Sequence, residues 1–197
     1  MNSKIAIIDY GAGNLQSVAN ALAALGRPFE IVDNLGKLLA FDKVILPGVG
    51  AAGSAMEKLR QNGFARALPK LKVPTLGICL GMQLFAEFSE EGNVKCLCVI
   101  PGRVKRFQTA LKVPHMGWNR VEMVKKLPLT AGIPNNSFFY FVHSYYLDTD
   151  ESYIIGKTAY DVNFPSIAQK GNFYATQFHP EKSGKWGMKL LSNFCEL

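Results

Sequence analysis

Cysteine is scarce in this chain of 197 residues, and long apolar runs are missing from it. Its four cysteines lack the spacing of a disulfide framework; they are Cys79, Cys96, Cys98 and Cys195. Cys96 and Cys98 have neither a second cysteine pair nor a nearby histidine, so their spacing of two fits one face of a strand better than a metal site. The first residues, MNSKIAIIDYG, lack the apolar core of a signal peptide, and no stretch approaches the roughly 18 apolar residues of a membrane span. The sequence therefore predicts a cytoplasmic protein that needs no membrane, metal or other cofactor.

Acidic residues are outnumbered by basic ones, 15 against 22, which gives a net charge of +7. Nucleic-acid-binding proteins often carry such a surplus, but here the basic residues are scattered. The tightest groups are Arg103, Lys105 and Arg106, followed by Lys125 and Lys126. Because no recognition helix or arginine–aromatic motif accompanies them, we expect no nucleic acid ligand. A solvated surface, an anionic substrate or an acidic face on a protein partner accounts for this charge equally well.

Strand and helix patterns alternate through the first half of the chain. Apolar strands are expected at residues 4–9, 29–33 and 43–46, and Asn14 begins a helix after the first of them. This alternation predicts a parallel sheet with right-handed crossovers and a site at the carboxyl ends of its strands.

After about residue 91, short alternating segments separated by glycine and proline replace this pattern, which predicts antiparallel strands. We expect these strands at residues 94–100, 103–107, 121–124, 138–147, 153–160, 166–169 and 173–178. A helix follows at about 185–194, and no linker or internal repeat interrupts the chain. The predicted fold class is therefore a single α/β domain over residues 1–197, with three layers, a mostly parallel central sheet and additional antiparallel strands in the C-terminal half.

The segment VPTLGICLGMQLF, residues 73–85, has the layout of a nucleophile elbow, G-x-S-x-G, with a thiol in place of the hydroxyl. Cys79 lies at its apex between Gly77 and Gly81, whose missing Cβ atoms let the chain pass close to a strained turn. The helix that follows directs its amide donors at the sulfur, which favours the thiolate. Taken alone, the segment fits a buried cysteine at the end of a core strand equally well.

A second candidate motif is Gln177-Phe178-His179-Pro180-Glu181. On an extended strand, residues two apart face the same side, so Glu181 is able to approach the imidazole of His179 and fix its tautomer. Taken alone, His179 is better explained as a surface histidine near a turn. The other histidines are poorer candidates, because His143 lies in an aromatic run and His115 has no carboxylate or cysteine nearby.

The glycine-rich turn Gly11-Ala12-Gly13 after the first strand resembles part of a dinucleotide-binding motif, and Asp33 stands near the position of a ribose-binding carboxylate. Gln16, however, occupies the place of the third glycine. We therefore do not favour nucleotide binding, since such turns are common in doubly wound sheets.

The elbow GICLGMQ together with the distant QFHPE resembles the class I, triad-type glutamine amidotransferase family, whose fold is flavodoxin-like. Further segments resemble one branch of that family, the glutaminase subunits of imidazole glycerol phosphate synthase in histidine biosynthesis; they are IDYGAGNLQSV, LPGVGAAGSAM, VPHMGWN, YFVHSYY and HPEKSGKWGMKLLSNF. The resemblance extends over about residues 5–194.

This resemblance implies hydrolysis of glutamine to glutamate and ammonia through a cysteinyl thioester. Cys79 is the implied nucleophile, His179 the general base and acid, and Glu181 the residue that orients His179. The implied oxyanion donors are the amide of Leu80 and the Pro-Gly-Val-Gly loop at Val49 and Gly50. The glutamine is bound, by the same resemblance, by Gly50, Gln83, Glu91, Ser144 and Tyr145.

The implied partner is a (β/α)8-barrel synthase subunit, which forms a heterodimer with the glutaminase and receives its ammonia through a channel. Its products are imidazole glycerol phosphate and an aminoimidazole carboxamide ribotide. Docking is expected over the active-site mouth through Asn14, Trp118, Tyr140 and Lys182.

Three alternatives to this function stay open on the sequence. A paralogous glutaminase subunit could supply another synthase, for example one that aminates a sugar. A non-catalytic binding module is disfavoured by the intact set of Cys79, His179 and Glu181. A cysteine peptidase is disfavoured by Gln83 and the Pro-Gly-Val-Gly loop.

Overall fold

The structure is a computed structural model that describes residues 3–11, 14–38 and 40–197. Ala12 and Gly13 of the glycine-rich turn lie outside the described residues. The strands are β1 (Ile5–Ile8), β2 (Phe29–Val32), β3 (Lys43–Leu46), β4 (Thr75–Ile78), β5 (Phe88–Ser89), β6 (Val94–Lys95), β7 (Arg103–Arg106), β8 (His115–Met123), β9 (Ser137–His143), β10 (Tyr145–Asp148), β11 (Ile154–Tyr160), β12 (Val162–Lys170) and β13 (Phe173–Thr176). The helices are α1 (Leu15–Ala24), α2 (Leu35–Leu38), α3 (Ala52–Gln61), α4 (Phe64–Ala67), α5 (Leu80–Leu84) and α6 (Gly184–Glu196).

The larger sheet has the strand order β2-β1-β3-β4-β13-β12-β11-β8-β9 within the described residues. Its strands are parallel from β2 to β13 and antiparallel from β13 to β9. The predicted α/β class, a parallel sheet with antiparallel strands added in the second half, is confirmed.

Strand β13 inserts beside β4 with Thr176 opposite Ile78, although the two residues are 98 positions apart in the chain. Both strands end at the same edge of the sheet because they are parallel. Cys79 and Gln177, the residues that follow them, are therefore neighbours.

Helices cover both faces of this sheet and give it three layers. Along β1, Ile5 and Ile7 face the apolar cluster of α1 and α6, whereas Ala6 and Ile8 face the cluster of α3 and α5. This alternation is the period-two geometry of a strand buried on both faces. Among the described residues, no helix combines the length and apolar character needed to cross a membrane.

The predicted strand at residues 94–100 is wrong beyond Lys95. There the chain turns back onto α5, and the amides of Leu97 and Cys98 donate to the carbonyl oxygens of Leu84 and Ala86, at 2.9 and 2.8 Å. Cys96 is buried, whereas Cys98 is exposed and has a φ of +55°, so the two do not share one face of a strand. The physical reason is that these donors satisfy the carbonyl groups at the end of a helix instead of those of a neighbouring strand.

The predicted strand at residues 138–147 is two strands that belong to different sheets. The chain leaves β9 at Ser144 and continues as β10, which lies in a smaller sheet of order β10-β7-β5-β6 within the described residues. The carbonyl oxygen of Ser144 accepts a hydrogen bond from the amide of Phe107 at 3.1 Å, just after β7. This break places Ser144 and Tyr145 at the corner between the two sheets.

Candidate active site

The turn between β4 and α5 has the strained geometry that the sequence predicts for an elbow. Cys79 has a φ of +54°, a left-handed conformation that costs energy for any residue with a Cβ. A Cβ on Gly77 would lie 2.7 Å from the carbonyl group of Gly81, and one on Gly81 would collide with the carbonyl oxygen of Leu46. The two glycines are thus required by close approach of the backbone on each side of the cysteine.

His179 and Glu181 form a buried pair beside this turn. The Nδ1 atom of His179 lies 2.8 Å from Oε1 of Glu181, and their side chains are 2% and 1% exposed. The pairing does not arise from an extended strand as expected, because residues 180–182 form a 3-10 turn that carries the carboxylate back to the ring. The His179 amide donates to the Tyr140 carbonyl oxygen at 3.0 Å, which fixes the start of the turn against β9.

The interactions of His179 favour its protonated form. Burial would lower the pKa of His179, but its interactions with Cys79 and Glu181 outweigh this effect and raise the pKa to about 10. With Nδ1 donating to Glu181, Nε2 has no hydrogen-bond partner within residues 3–11, 14–38 and 40–197, and His179 and Cys79 both line the same cavity. The arrangement suits a thiolate beside an imidazolium, the reactive form of a cysteine–histidine pair.

A cavity of about 330 Å³ opens at this point. It is lined by Val49, Gly50, Cys79, Leu80, Gln83, Glu91, Pro114, Val142, His143, Ser144, Tyr145 and His179. The structure therefore brings together every residue that the sequence suggested for the oxyanion and for glutamine. Glu181 lies behind His179 and does not line the cavity. No group of three or more metal-ligating side chains occurs in the part of the chain that the structure describes.

Glu91, and not its neighbour, faces the cavity. Its Oε2 atom accepts a hydrogen bond from the amide of Ala52 at 2.8 Å, at the start of α3. Glu90 turns the other way, where its Oε2 accepts from the amide of Arg106 at 2.9 Å. The Glu91 carboxylate thus lies beside Gly50, which has a φ of +97° and ends the Pro-Gly-Val-Gly loop.

Two buried histidines that sequence reasoning set aside form a hydrogen-bonded chain at the cavity wall. His143 Nδ1 lies 2.7 Å from the Tyr145 carbonyl oxygen, and His143 Nε2 lies 3.0 Å from His115 Nδ1. The other nitrogen of His115 is 3.2 Å from Nδ2 of Asn119. A carbonyl group only accepts, so each ring must carry its proton on Nδ1 and accept on Nε2. Both histidines were visible in the sequence, but their contact depends on the pairing of β8 with β9, which places His115 opposite His143.

This histidine chain is expected to make the fold acid-sensitive. Burial lowers the pKa of His115 to about 4 and that of His143 to about 3. These values lie below the pKa of roughly 6.5 for a histidine in the unfolded chain. At pH values between about 4 and 6.5, the unfolded chain therefore binds more protons than the folded one. The stability they confer is complete above pH 6.5 and is lost as the pH falls toward 4.

The measurement is urea unfolding at pH 7.5 and pH 5, for the wild type and for His115→Phe. The phenyl ring keeps the stacking on Tyr160 and Phe141. We expect the wild type to lose about 2 kcal/mol more than the variant over this interval. Equal losses in the two proteins would contradict the assignment of neutral rings.

The four residues expected at a partner surface surround the His179 turn. Trp118 and Tyr140 are opposite each other on β8 and β9, with ring centroids 6.2 Å apart, and the Trp118 side chain is exposed. Lys182 is exposed in the turn after His179, and Asn14 precedes α1, which packs against that turn.

Known proteins resemble this chain over nearly its whole length. A family model described as glutamine amidotransferase class-I matches residues 6–197. A relative from Methanocaldococcus jannaschii, named imidazole glycerol phosphate synthase subunit HisH, is 53% identical over 98% of this chain and 99% of its own. A protein of the same name from Haemophilus influenzae is 50% identical over 98% of both chains.

Two solved structures share the fold at low sequence identity. One is a putative GMP synthase component from Thermoplasma acidophilum, with a TM-score of 0.78, 20% identity and coverage of 100% of this chain and 94% of that one. The other is PurLQS from Thermotoga maritima, with a TM-score of 0.76, 17% identity and coverage of 100% and 99%. At these identities the likeness concerns the fold alone.

Proposed function

The chain belongs to the class I glutamine amidotransferase family, and from this membership and its site we propose that it is the glutaminase subunit of an imidazole glycerol phosphate synthase. In this role it hydrolyses glutamine to glutamate and ammonia. The observation that carries the proposal is the cavity of about 330 Å³, in which a strained cysteine, a paired histidine and polar groups of both signs converge. Relatives that share about half of the sequence over nearly its whole length bear the subunit's name.

The reaction begins with the Cys79 thiolate, whose proton resides on His179. The sulfur attacks the side-chain carbonyl carbon of glutamine, and the amides of Leu80 and of the loop at Val49 and Gly50 donate to the oxyanion. As the tetrahedral intermediate collapses, His179 gives its proton to the departing ammonia and a thioester remains. Water then attacks the thioester with His179 as base, and glutamate leaves. Glu181 keeps the imidazole in one tautomer throughout, through its contact with Nδ1.

The remaining wall of the cavity holds the amino-acid end of the substrate. Glu91 supplies the negative charge for the α-ammonium group, and the backbone at Gly50, Ser144 and Tyr145 supplies further polar contacts. Gln83 lies one helical turn beyond the cysteine and orients the substrate beside the sulfur. No step of this chemistry needs a cofactor.

The partner in this proposal is a (β/α)8-barrel synthase subunit in the cytoplasm, which docks over the surface around Asn14, Trp118, Tyr140 and Lys182 and uses the ammonia to make imidazole glycerol phosphate and an aminoimidazole carboxamide ribotide. The support is the position of these side chains around the turn that carries His179. A tryptophan exposed over 56% of its surface is a costly residue to leave in water and a frequent anchor of interfaces.

The docking surface is tested by Trp118→Ala. We expect the dissociation constant for the barrel subunit to rise at least about tenfold, because loss of a central aromatic anchor typically costs about 2 kcal/mol or more. The matched control is Ile31→Ala on β2, at the opposite edge of the sheet, where another exposed apolar side chain is removed. Calorimetric titration measures the dissociation constant of each variant for the barrel subunit. Equal constants for the two variants would show that Trp118 is not part of the interface.

The function itself is tested by glutamate release from glutamine, measured for the chain alone and with the barrel subunit plus a substrate analogue. We expect glutaminase activity that depends on the partner. A folded protein that releases no glutamate with this partner would instead indicate a glutaminase subunit that serves another synthase. Cleavage of peptides without glutamine turnover would refute a glutaminase altogether.

A further inference from the structure

Gln177 is a fully buried polar residue that the mechanism above does not use. It follows β13, and its amide donates to the Ser166 carbonyl oxygen on β12 at 2.9 Å, so the central sheet fixes its position. Its primary amide carries two donors and an acceptor, which cost free energy in a core unless they are paired. The groups that pair with it identify what it does.

Both ends of the Gln177 side chain contact residues of the cavity. Nε2 of Gln177 lies 3.8 Å from Sγ of Cys79, and its Oε1 accepts a hydrogen bond from Nε2 of Gln83 at 3.1 Å. The same nitrogen of Gln83 donates to the Tyr145 carbonyl oxygen at 2.8 Å. A continuous chain of hydrogen bonds therefore extends from the cavity wall to the nucleophile.

The direction of this chain is fixed by its far end. The carbonyl group of Tyr145 only accepts, so Gln83 must present its NH₂ group there, and that group also faces Gln177. Gln177 must then offer its oxygen to Gln83 and its NH₂ to the sulfur. The opposite orientation would set two NH₂ groups together and aim an oxygen at the thiolate.

From this geometry we infer that Gln177 is a positioning residue for the proposed glutaminase reaction: its NH₂ group holds and stabilises the Cys79 thiolate, while its oxygen holds Gln83 in the substrate cavity. The purpose assigned to Gln177 rests on the proposed function, whereas its contacts are observed in the structure. As a thiol, Cys79 has an acceptor at hand in the Val142 carbonyl oxygen, at 3.9 Å. As a thiolate it needs donors: Gln177 supplies one, and Nε2 of His179, which has no hydrogen-bond partner within the described residues, is available as another.

Two substitutions separate the two contacts of Gln177. Gln177→Glu keeps an oxygen for Gln83 and has nearly the same shape, but it replaces the donor to the sulfur by a second oxygen. Gln177→Met keeps the length and removes both contacts. The readout is the rate at which iodoacetamide alkylates Cys79 as a function of pH in the full chain alone, followed by mass spectrometry. The exposed Cys98 in the same protein is the internal reference.

We expect the midpoint of the Cys79 profile to move up by about one pH unit in Gln177→Met, since a hydrogen bond to a charged group is worth about 1.5–3 kcal/mol and one unit is about 1.4 kcal/mol. The shift should be larger in Gln177→Glu, whose carboxylate adds a negative charge beside the sulfur. The Cys98 profile should stay in place. In the complex, Gln177→Met should raise the KM for glutamine as well, whereas Gln177→Glu should lower kcat with less effect on KM. An unchanged Cys79 midpoint in either folded variant would overturn the inference.

A second measurement avoids substitution of Gln177 and decides the matter if the variants do not fold. In wild-type protein with ¹⁵N-labelled glutamine, a side-chain NH₂ resonance should titrate with the thiol and should cease to titrate in Cys79→Ala. The absence of any such resonance would overturn the inference. Neither the alkylation profile nor the NH₂ resonance depends on glutamine turnover. A shifted thiol in a protein that never hydrolyses glutamine would therefore support the contact between Gln177 and the thiolate and refute only the proposed function.

Discussion

Replacement of Cys79 by alanine is expected to abolish glutamate release by the complex, with a loss of about 10⁴-fold or more in kcat. The physical reason is that Cys79 is the only thiol among the described residues that line the cavity, and the neighbouring oxyanion donors alone leave only a small residual rate. Glutamine should still bind, because the groups that hold its amino-acid end, Gln83 and Glu91 among them, are untouched. Glutamate release and calorimetric binding of glutamine together measure this prediction.

The matched control is Cys98→Ala, which removes an exposed thiol outside the cavity and should leave the rate unchanged. Retained activity in a Cys79→Ala protein, verified by mass, would refute the thioester route. Loss of activity in both variants would show that the assay reports folding and not chemistry.

Gly81→Ala is expected to have the second largest effect, on stability as well as on rate. Its Cβ would collide with the Leu46 carbonyl oxygen, which is backbone held in a central strand and cannot turn aside. Overpacking of this kind costs about 3 kcal/mol, and displacement of the elbow should lower kcat/KM by about 100-fold. Thermal or urea unfolding and the glutaminase assay measure the two effects.

Gly53→Ala offers a closely matched control, since Gly53 is also a helical glycine. Its Cβ would lie 3.6 Å from Cα of Gly92, which is an ordinary contact. Because alanine is the better helix former, stability should stay the same or rise by up to about 1 kcal/mol. An equal free energy of unfolding in the two variants would mean that the close approach at Gly81 does not contribute to stability.

The elbow and the parallel half of the sheet were predictable because their signals are local. Gly77 and Gly81 restrict the backbone on either side of Cys79, and the alternation of strands with helices is visible in a short window of sequence. The contact between His179 and Glu181 was predictable, but the backbone conformation that produces it was not, since a 3-10 turn replaces the expected strand.

The parts that sequence could not supply depend on pairing between distant segments. Gln177 contacts the sulfur only because β13 inserts beside β4, and His115 meets His143 only through the register of β8 with β9. The end of β6 after Lys95 was missed for a related reason, because the next amides bind the end of α5 and not a strand. The hydrophobic periodicity of a strand indicates which face of the sheet a residue occupies, but not which residue of another strand lies next to it.

The insertion of β13 between β4 and β12 also has a consequence for biosynthesis. A chain still emerging from the ribosome lacks both the strand that fills the middle of the sheet and the histidine that follows it. Until residues 173–179 are made, β4 has an open edge that invites pairing with other chains, and its cysteine has no base. An interrupted translation product therefore lacks both the strand that covers β4 and the histidine of the site, so the last part of the chain to be made completes the sheet and the chemistry together.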